Sequence, residues 1–352
     1  MADTLENPFR GAGLPGASRA PSLLPSTDAD AVARLLALCP AHRETPLRTL
    51  PEAAGAAAVH EVFVKDERDR MGLGSFKALG AAYAIARDAA QVPDGDWDTA
   101  LTGRTYVTAS AGNHGLSVAA GARLFGARGV VYLAESVPDA FAGRLQAKGA
   151  EVVRAGETYG DSMDAAGAAA AREGWTLLSD SSWPGYTDLP RRVMEGYLEM
   201  AAEAARQIPA PPTHIVLQAG VGGMAAALAA YFRAVWGDAP RIVVVEPDAA
   251  PALIGSIRAG RRVTADGPVS AMGRLDCKTP SMVALAGLAR DADVFVTISE
   301  EEAAAAVQAL GAWGHATTPS GAAGIAAVLA GAVGAGRQAR VLTVLSEGPE
   351  DD

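Results

Sequence analysis

The 352-residue chain is short of aromatic residues, at 5%, and has only two cysteines, Cys39 and Cys277, far apart in sequence. With so few large rings, the core has to be assembled mostly from Ala, Val and Leu, in a chain that is 49% hydrophobic. Isolated cysteines give neither a disulfide framework nor a CxxC metal site, and they fit a reducing, cytoplasmic setting. Basic charge is also scarce: 30 Lys and Arg stand against 40 Asp and Glu, a net charge of −10. That argues against nucleic acid or an anionic membrane as the main partner. No long apolar run escapes charge or turn signals, so no membrane span is expected. The opening MADTLENPFRGAG carries early acids and no apolar stretch, unlike a secretory signal. No GxSxG or HExxH pattern occurs. His42, His60, His214 and His315 show no metal-ligand spacing and read as structural, so no metal is expected.

What is present is alternation. Residues 1 to about 30 are rich in Pro, Gly and Ser and read as an extended arm over the surface. After them, short apolar strands alternate with helices: EVFVKDE, TYVTAS, GVVYLAE, AEVVRAG, WTLLSD, THIVLQAG, RIVVVEP, DVFVTIS and RVLTVLSEG are the strands. LPRRVMEGYLEMAAEAARQ reads as one long helix. Such alternation means α/β architecture with mainly parallel sheets, and this many strands predicts two doubly wound domains. Ligands of open α/β sheets sit at the carboxyl ends of strands, so the residues just after each strand matter most.

Lys77 raises the first question. It stands after Gly72, Gly74 and Ser75, at the start of a helix that stays uncharged until Arg87. Ser75 is the expected N-cap. Apolar residues on nearly every side of this helix predict burial. Burial and the positive end of the helix dipole should both depress the lysine pKa. Either the amine snorkels to water past its stem, or a neutral or covalently bound amine is wanted there.

Other turns add chemistry. AGNHG, residues 111–115, follows TYVTAS and offers backbone N–H groups and a helix dipole, with Asn113 and His114 at its tip. GVGGM, residues 220–224, follows THIVLQA and reads as a phosphate cradle. Gly220, Gly222 and Ala225 also fit G-x-G-x-x-A, with Glu246 at the end of the next strand, so a dinucleotide site stays open on this patch alone. Asp180 ends WTLLSD beside Trp183 and Tyr186 and can face a cleft or cap a turn. Ser346 follows the last strand.

Taken in order, GSFKALG, SAGNHG, GVGGM and LSEG resemble the fold-type-II pyridoxal-phosphate enzymes, the group of threonine and serine dehydratases and tryptophan synthase β. DERDRMGLGSFKALG and SDSSWPGYTDLP make the diaminopropionate ammonia-lyase family the nearest likeness. NPFR, ETPLRTLPEAA, VEPDAAPAL and GRLDCKTPS look like further segments of that family in the right order.

The resemblance implies a tryptophan synthase β-like fold with pyridoxal 5′-phosphate as cofactor. Residues 1–69 and 186–352 would form the large domain and 70–185 the small one. Lys77 would hold the cofactor and later take the substrate α-proton, and Asn113 would bond the ring's phenolic oxygen. Gly220, Val221, Gly222, Gly223 and Met224 would cradle the phosphate, and Ser346 would meet the pyridine nitrogen. Ser110, Ala111, Gly112 and His114 would receive the substrate carboxylate. Asp180 would assist proton transfer or hold the leaving β-amino group.

The implied reaction is α,β-elimination from a small L-amino acid, nearest to 2,3-diaminopropionate giving pyruvate and ammonia. The family usually has an aspartate where this chain has Ala111, and that aspartate is thought to act on D-isomers. L-Serine, L-threonine or 3-hydroxyaspartate therefore stay open as substrates. So do a β-replacement reaction, a non-catalytic relative and an NAD-dependent dehydrogenase. A homodimer is implied by the resemblance alone.

Overall fold

The computed structural model describes residues 3–16, 23–92 and 96–349. Its strands are β1 (Thr4–Glu6), β2 (Leu47–Thr49), β3 (Glu61–Asp66), β4 (Thr105–Ala109), β5 (Arg128–Leu133), β6 (Ala150–Arg154), β7 (Thr176–Leu177), β8 (His214–Gln218), β9 (Arg241–Pro247), β10 (Val294–Ile298) and β11 (Arg340–Leu345). They form a 7-stranded sheet, β1-β10-β9-β8-β11-β3-β2, and a 4-stranded sheet, β6-β5-β4-β7. Every pairing is parallel except the two at the edges of the larger sheet, where β1 meets β10 and β2 meets β3.

The strand sequences explain why both faces of the larger sheet are covered. Phe63, Leu217, Val244, Phe295 and Leu342 pack into one apolar core. Their neighbours Val62, Val64, Val216, Val243, Val245 and Val296 pack into another on the opposite face. Side chains alternate across a strand, so unbroken apolar runs demand helices on both sides. The smaller sheet repeats the scheme at lower volume. Val107, Val130 and Tyr132 meet Ala166, Ala169 and Ala170 on one face. Val131 and Leu133 meet Leu116, Ala119 and Leu145 on the other.

Several expectations need correction. The N-terminal arm, whose residues 1–2 and 17–22 lie outside the described ones, includes β1, which adds an antiparallel edge strand. WTLLSD forms ladder only at Thr176–Leu177, so Asp180 sits past the strand rather than on its last residue. The long helix is two, Asp188–Gly196 and Leu198–Gln207, meeting at Tyr197. The reason lies in a close crossing with helix Lys77–Ala89. A Cβ on Gly80 would lie 2.7 Å from the Tyr197 ring, and one on Gly196 would collide with the Leu79 carbonyl. Backbones can approach this closely only where side chains are missing, and the approach fixes the start of the Lys77 helix against the large sheet's layer.

Candidate active site

Helix Lys77–Ala89 begins one residue after its N-cap position, Phe76, so Ser75 is not the cap itself. Its hydroxyl nonetheless accepts the Lys77 N–H at 3.3 Å. Ala78 to Ala86 are buried, as the apolar pattern requires. The turn before the helix is held from both sides. On one side Phe76 N–H donates to Ser346 O at 3.0 Å and Gly348 N–H to Gly74 O at 2.9 Å. On the other, Arg70 is fully buried with Glu67, Glu203 and Lys65. Arg70 donates to both carboxylates at 2.6–2.8 Å and to the Arg43 carbonyl at 2.8 Å. Lys65 Nζ reaches Glu203 at 2.6 Å. Two cations and two anions cancel, which lets charge sit this deep. Met71 is held at φ 53°, rare for a non-glycine residue, inside this tethered turn.

The Lys77 ammonium lies 2.5 Å from Asp180 Oδ2, and the two side chains are 22% and 19% exposed. Burial is the largest single influence on the Lys77 pKa and pushes it down, but the charge and hydrogen bond of Asp180, with Tyr197 and Cys277 beside them, together outweigh it and the net direction is upward. This corrects the expectation of a depressed lysine, because the compensating acid comes from a distant segment. Burial raises the Asp180 pKa, yet Lys77, followed by His114, drives it well below the ordinary carboxylate range. The Tyr197 hydroxyl is fully buried beside this pair, close enough to Lys77 to interact with its ammonium. Burial pushes it up to about 12. The Cys277 thiol, close enough to feel Lys77 and Asp180, is likewise pushed up to about 12, mainly by burial.

The turn after β4 gives helix Asn113–Leu124 its N-terminus. Ser110 Oγ accepts from Gly112 N at 3.2 Å and Gly115 N at 3.0 Å, so this hydroxyl shapes the turn. His114 is buried with Nε2 2.9 Å from Leu178 O, an arrangement that makes Nε2 the donor and Nδ1 an acceptor. Burial lowers its pKa. A neutral ring held this way cannot donate Nδ1–H to a carboxylate, so any part it plays there falls to its backbone N–H. Asn113 Nδ2 donates to Glu347 Oε2 at 2.5 Å. Ala111 and Gly112 complete the turn.

The Gly220–Met224 turn follows β8 and opens helix Gly223–Trp236. Gly222 sits at φ 95°, which only glycine takes without strain. A Cβ on Gly220 would lie 3.0 Å from Cys277 Sγ and 3.1 Å from Leu275 Cα. Val221 O accepts the Ser281 N–H at 3.0 Å, and Met224 is buried. This is a bare backbone bend at a positive helix end, suited to a phosphate. Ser346, also buried, follows β11. Glu246 does not serve a ribose. It accepts Leu253 N–H at 2.7 Å and Ile254 N–H at 2.8 Å and so caps helix Ala252–Ala259 from inside. The dinucleotide spacing is therefore a coincidence of the helix-capping acid.

Pyridoxal phosphate fits these residues. The glycine bend presents bare backbone at a helix N-terminus to an anion, Lys77 supplies an amine, and the buried His114 Nδ1, without a hydrogen-bond partner among the described residues, is a polar atom awaiting a polar neighbour. Sequence reasoning missed Tyr197, Cys277 and Glu347. Tyr159 was missed too. It opens helix Tyr159–Glu173 and is close enough to interact with Asp180, Cys277 and Lys77, while 58% of its surface stays exposed. His42, Glu199 and Glu203 converge within 4.8 Å, but Glu203 is already paired with Arg70 and Lys65.

The comparisons with known proteins agree with this geometry. The chain is 32% identical over 284 residues to diaminopropionate ammonia-lyase of Escherichia coli K12, covering 77% of this chain and 71% of the relative. It is 30% identical to a mouse serine dehydratase-like protein over 76% of each. The crystal structure of the E. coli diaminopropionate ammonia-lyase with an aminoacrylate–pyridoxal-phosphate reaction intermediate superposes with a TM-score of 0.86 at 29% identity. That match covers 99% of this chain and 94% of that one. A tomato threonine deaminase shares the fold, with a TM-score of 0.79 at 18% identity. Residues 38–347 match the model of the pyridoxal-phosphate dependent enzymes, with the α/β fold of the fold-type-II group, and the chain belongs to that family.

Proposed function

We propose that this protein catalyses α,β-elimination of ammonia from L-2,3-diaminopropionate, giving pyruvate and two molecules of ammonia with the uptake of one water. The observation that carries this reading is the Lys77–Asp180 pair at 2.5 Å. When bound, pyridoxal 5′-phosphate supplies the electron sink that stabilises the charge left on the α-carbon. Lys77 would hold it, Asn113 would face its ring oxygen, Gly220 to Met224 would hold its phosphate, and Ser346 would face its ring nitrogen.

Once Lys77 is committed to the cofactor, Asp180 loses its cation. A half-buried carboxylate is then costly to leave unpaired. A substrate ammonium at the β-position takes the vacated place, whereas a β-hydroxyl of serine or threonine brings no charge. Asp180 thus keeps the leaving amine protonated, so that it departs as neutral ammonia. The displaced Lys77 amine takes the α-proton at Nζ. The turn N–H groups of Ala111 to His114, at a helix N-terminus, receive the substrate carboxylate. A serine or threonine dehydratase is the second reading, favoured by the absence of an acid at Ala111 and by the serine dehydratase-like relative.

The domain division at 1–69 with 186–352 against 70–185 is part of the same proposal, supported by the way the two sheets partition the strands. So is a homodimer. A cytoplasmic location is proposed from the free Cys39 and Cys277. Among the described residues no helix is long and apolar enough to cross a membrane.

The test is a panel of L- and D-2,3-diaminopropionate, L-serine, L-threonine and 3-hydroxyaspartate, with 2-oxo acid and ammonia both measured. The L-diamino acid should be the best substrate, giving two ammonia per pyruvate, and the D-isomer should be poor because Ala111 carries no base. Lys77→Ala should abolish turnover and the visible absorbance of the bound cofactor. Full activity in that variant, or preference for a hydroxy amino acid, overturns the assignment.

A further inference from the structure

Glu347 follows Ser346 and is 3% exposed. Its Oε2 accepts from Asn113 Nδ2 at 2.5 Å and faces Arg274 Nε at 2.9 Å, and its Oε1 accepts from the Thr318 hydroxyl. Its carbonyl accepts from Thr317 Oγ1 at 2.6 Å, and its backbone bridges to Ser75. One residue therefore ties together the turn before Lys77, the turn after β4, the loop whose Leu275 packs on Gly220, and helix Pro319–Leu329.

A carboxylate only accepts, so it dictates how the Asn113 amide lies. The amide nitrogen must face Glu347 and the amide oxygen must turn away. An NH2 group has two hydrogens. Glu347 takes one, and the planar amide then fixes the direction of the other. We propose that Glu347 is a positioning residue that locks the Asn113 amide so that its second N–H meets the ring oxygen of bound pyridoxal phosphate, with Arg274 balancing the carboxylate's charge. The inference rests on the cofactor reading above and adds a residue to it. It also explains a contact that the sequence alone could not, since Asn113 and Glu347 are 234 positions apart. Supporting residues of this kind orient the group that touches the ligand.

The experiment is a double-mutant cycle on cofactor affinity. Protein stripped of cofactor is titrated with pyridoxal 5′-phosphate, and binding is read from tryptophan fluorescence and from the visible absorbance of the Lys77-bound form. Glu347→Gln should weaken binding roughly tenfold, as expected for loss of a charge-assisted contact. In an Asn113→Ala background the same change should cost less than about twofold, because nothing remains to be oriented. A purely structural role would give the same loss in both backgrounds, and that result overturns the proposal. So does unchanged affinity in Glu347→Gln. Should Glu347→Gln fail to fold, Glu347→Asp takes its place. It keeps the charge beside Arg274, shortens the reach to Asn113, and is judged by the same outcomes. Failure of the unsubstituted protein to take up cofactor overturns the parent reading and this one together. Normal uptake without coupling overturns this one alone.

Discussion

Replacing Arg70 by methionine removes a charge while keeping most of the side chain's bulk. In the native protein Lys65 and Arg70 balance Glu67 and Glu203, and none of these side chains is more than 1% exposed. The substitution leaves that set with one net negative charge and takes away Glu67's only ion-pair partner within it, leaving Glu67 the Thr45 hydroxyl at 2.6 Å. Breaking a buried pair from one side costs about 3–5 kcal/mol, against a total stability of roughly 5–15 kcal/mol. The expected result is a urea midpoint lowered by about a fifth or more at unchanged slope, followed by far-UV circular dichroism.

The same logic predicts a partial rescue. Adding Glu67→Gln restores neutrality, because Lys65 and Glu203 remain as a matched pair, so the double variant should be more stable than Arg70→Met alone. The turn that Arg70 anchors also carries Met71 in its left-handed conformation and leads into Lys77. Cofactor absorbance should therefore be lost at lower urea than the circular dichroism signal in Arg70→Met, and together with it in the unsubstituted protein. A cost below about 1 kcal/mol, the range of exposed pairs, would refute the reasoning. So would a Glu67→Gln change that simply adds its own loss.

Gly220→Ala should weaken pyridoxal phosphate binding at least tenfold with little change in urea midpoint, because its Cβ must push on Cys277 Sγ at 3.0 Å and Leu275 Cα at 3.1 Å beside the cradle. Isothermal titration checks it, and unchanged affinity would count against the phosphate assignment. Glu246 is pushed by burial from the ordinary 4.5 up to about 8, despite the backbone N–H groups of Leu253 and Ile254 that donate to it. A folded pKa above the unfolded one makes its contribution complete below pH 4.5 and steadily lost up to about pH 8, on the order of 1.4 kcal/mol per unit. Urea midpoints of the unsubstituted protein should fall relative to Glu246→Gln across that window, and parallel profiles would contradict it.

The parallel sheets were legible because their cause is local. Val62 to Val64 or Val243 to Val245 are apolar on consecutive positions, which only a strand covered on both faces satisfies. Lys77, the glycine bend and the AGNHG turn were legible for a related reason, since each is a short segment whose residue types conflict with an ordinary helix start. What escaped was everything decided by a partner far along the chain. The Lys77 pKa direction depended on Asp180, 103 positions away, and the break at Tyr197 depended on Gly80 and Gly196 meeting across helices. The edge strand β1 escaped because its partner is β10, near the other end of the chain.

Glu246 shows the converse error, since its distance from the glycine bend matched a dinucleotide fingerprint. In the fold its carboxylate is spent on the helix just after it, because a buried acid takes the nearest free N–H groups. Spacing along a sequence constrains function only when the fold leaves the residue's polar atoms free. Asp180 meets that condition in a specific way, because among the described residues the side chain that pairs with its carboxylate is Lys77, the one group the cofactor would claim.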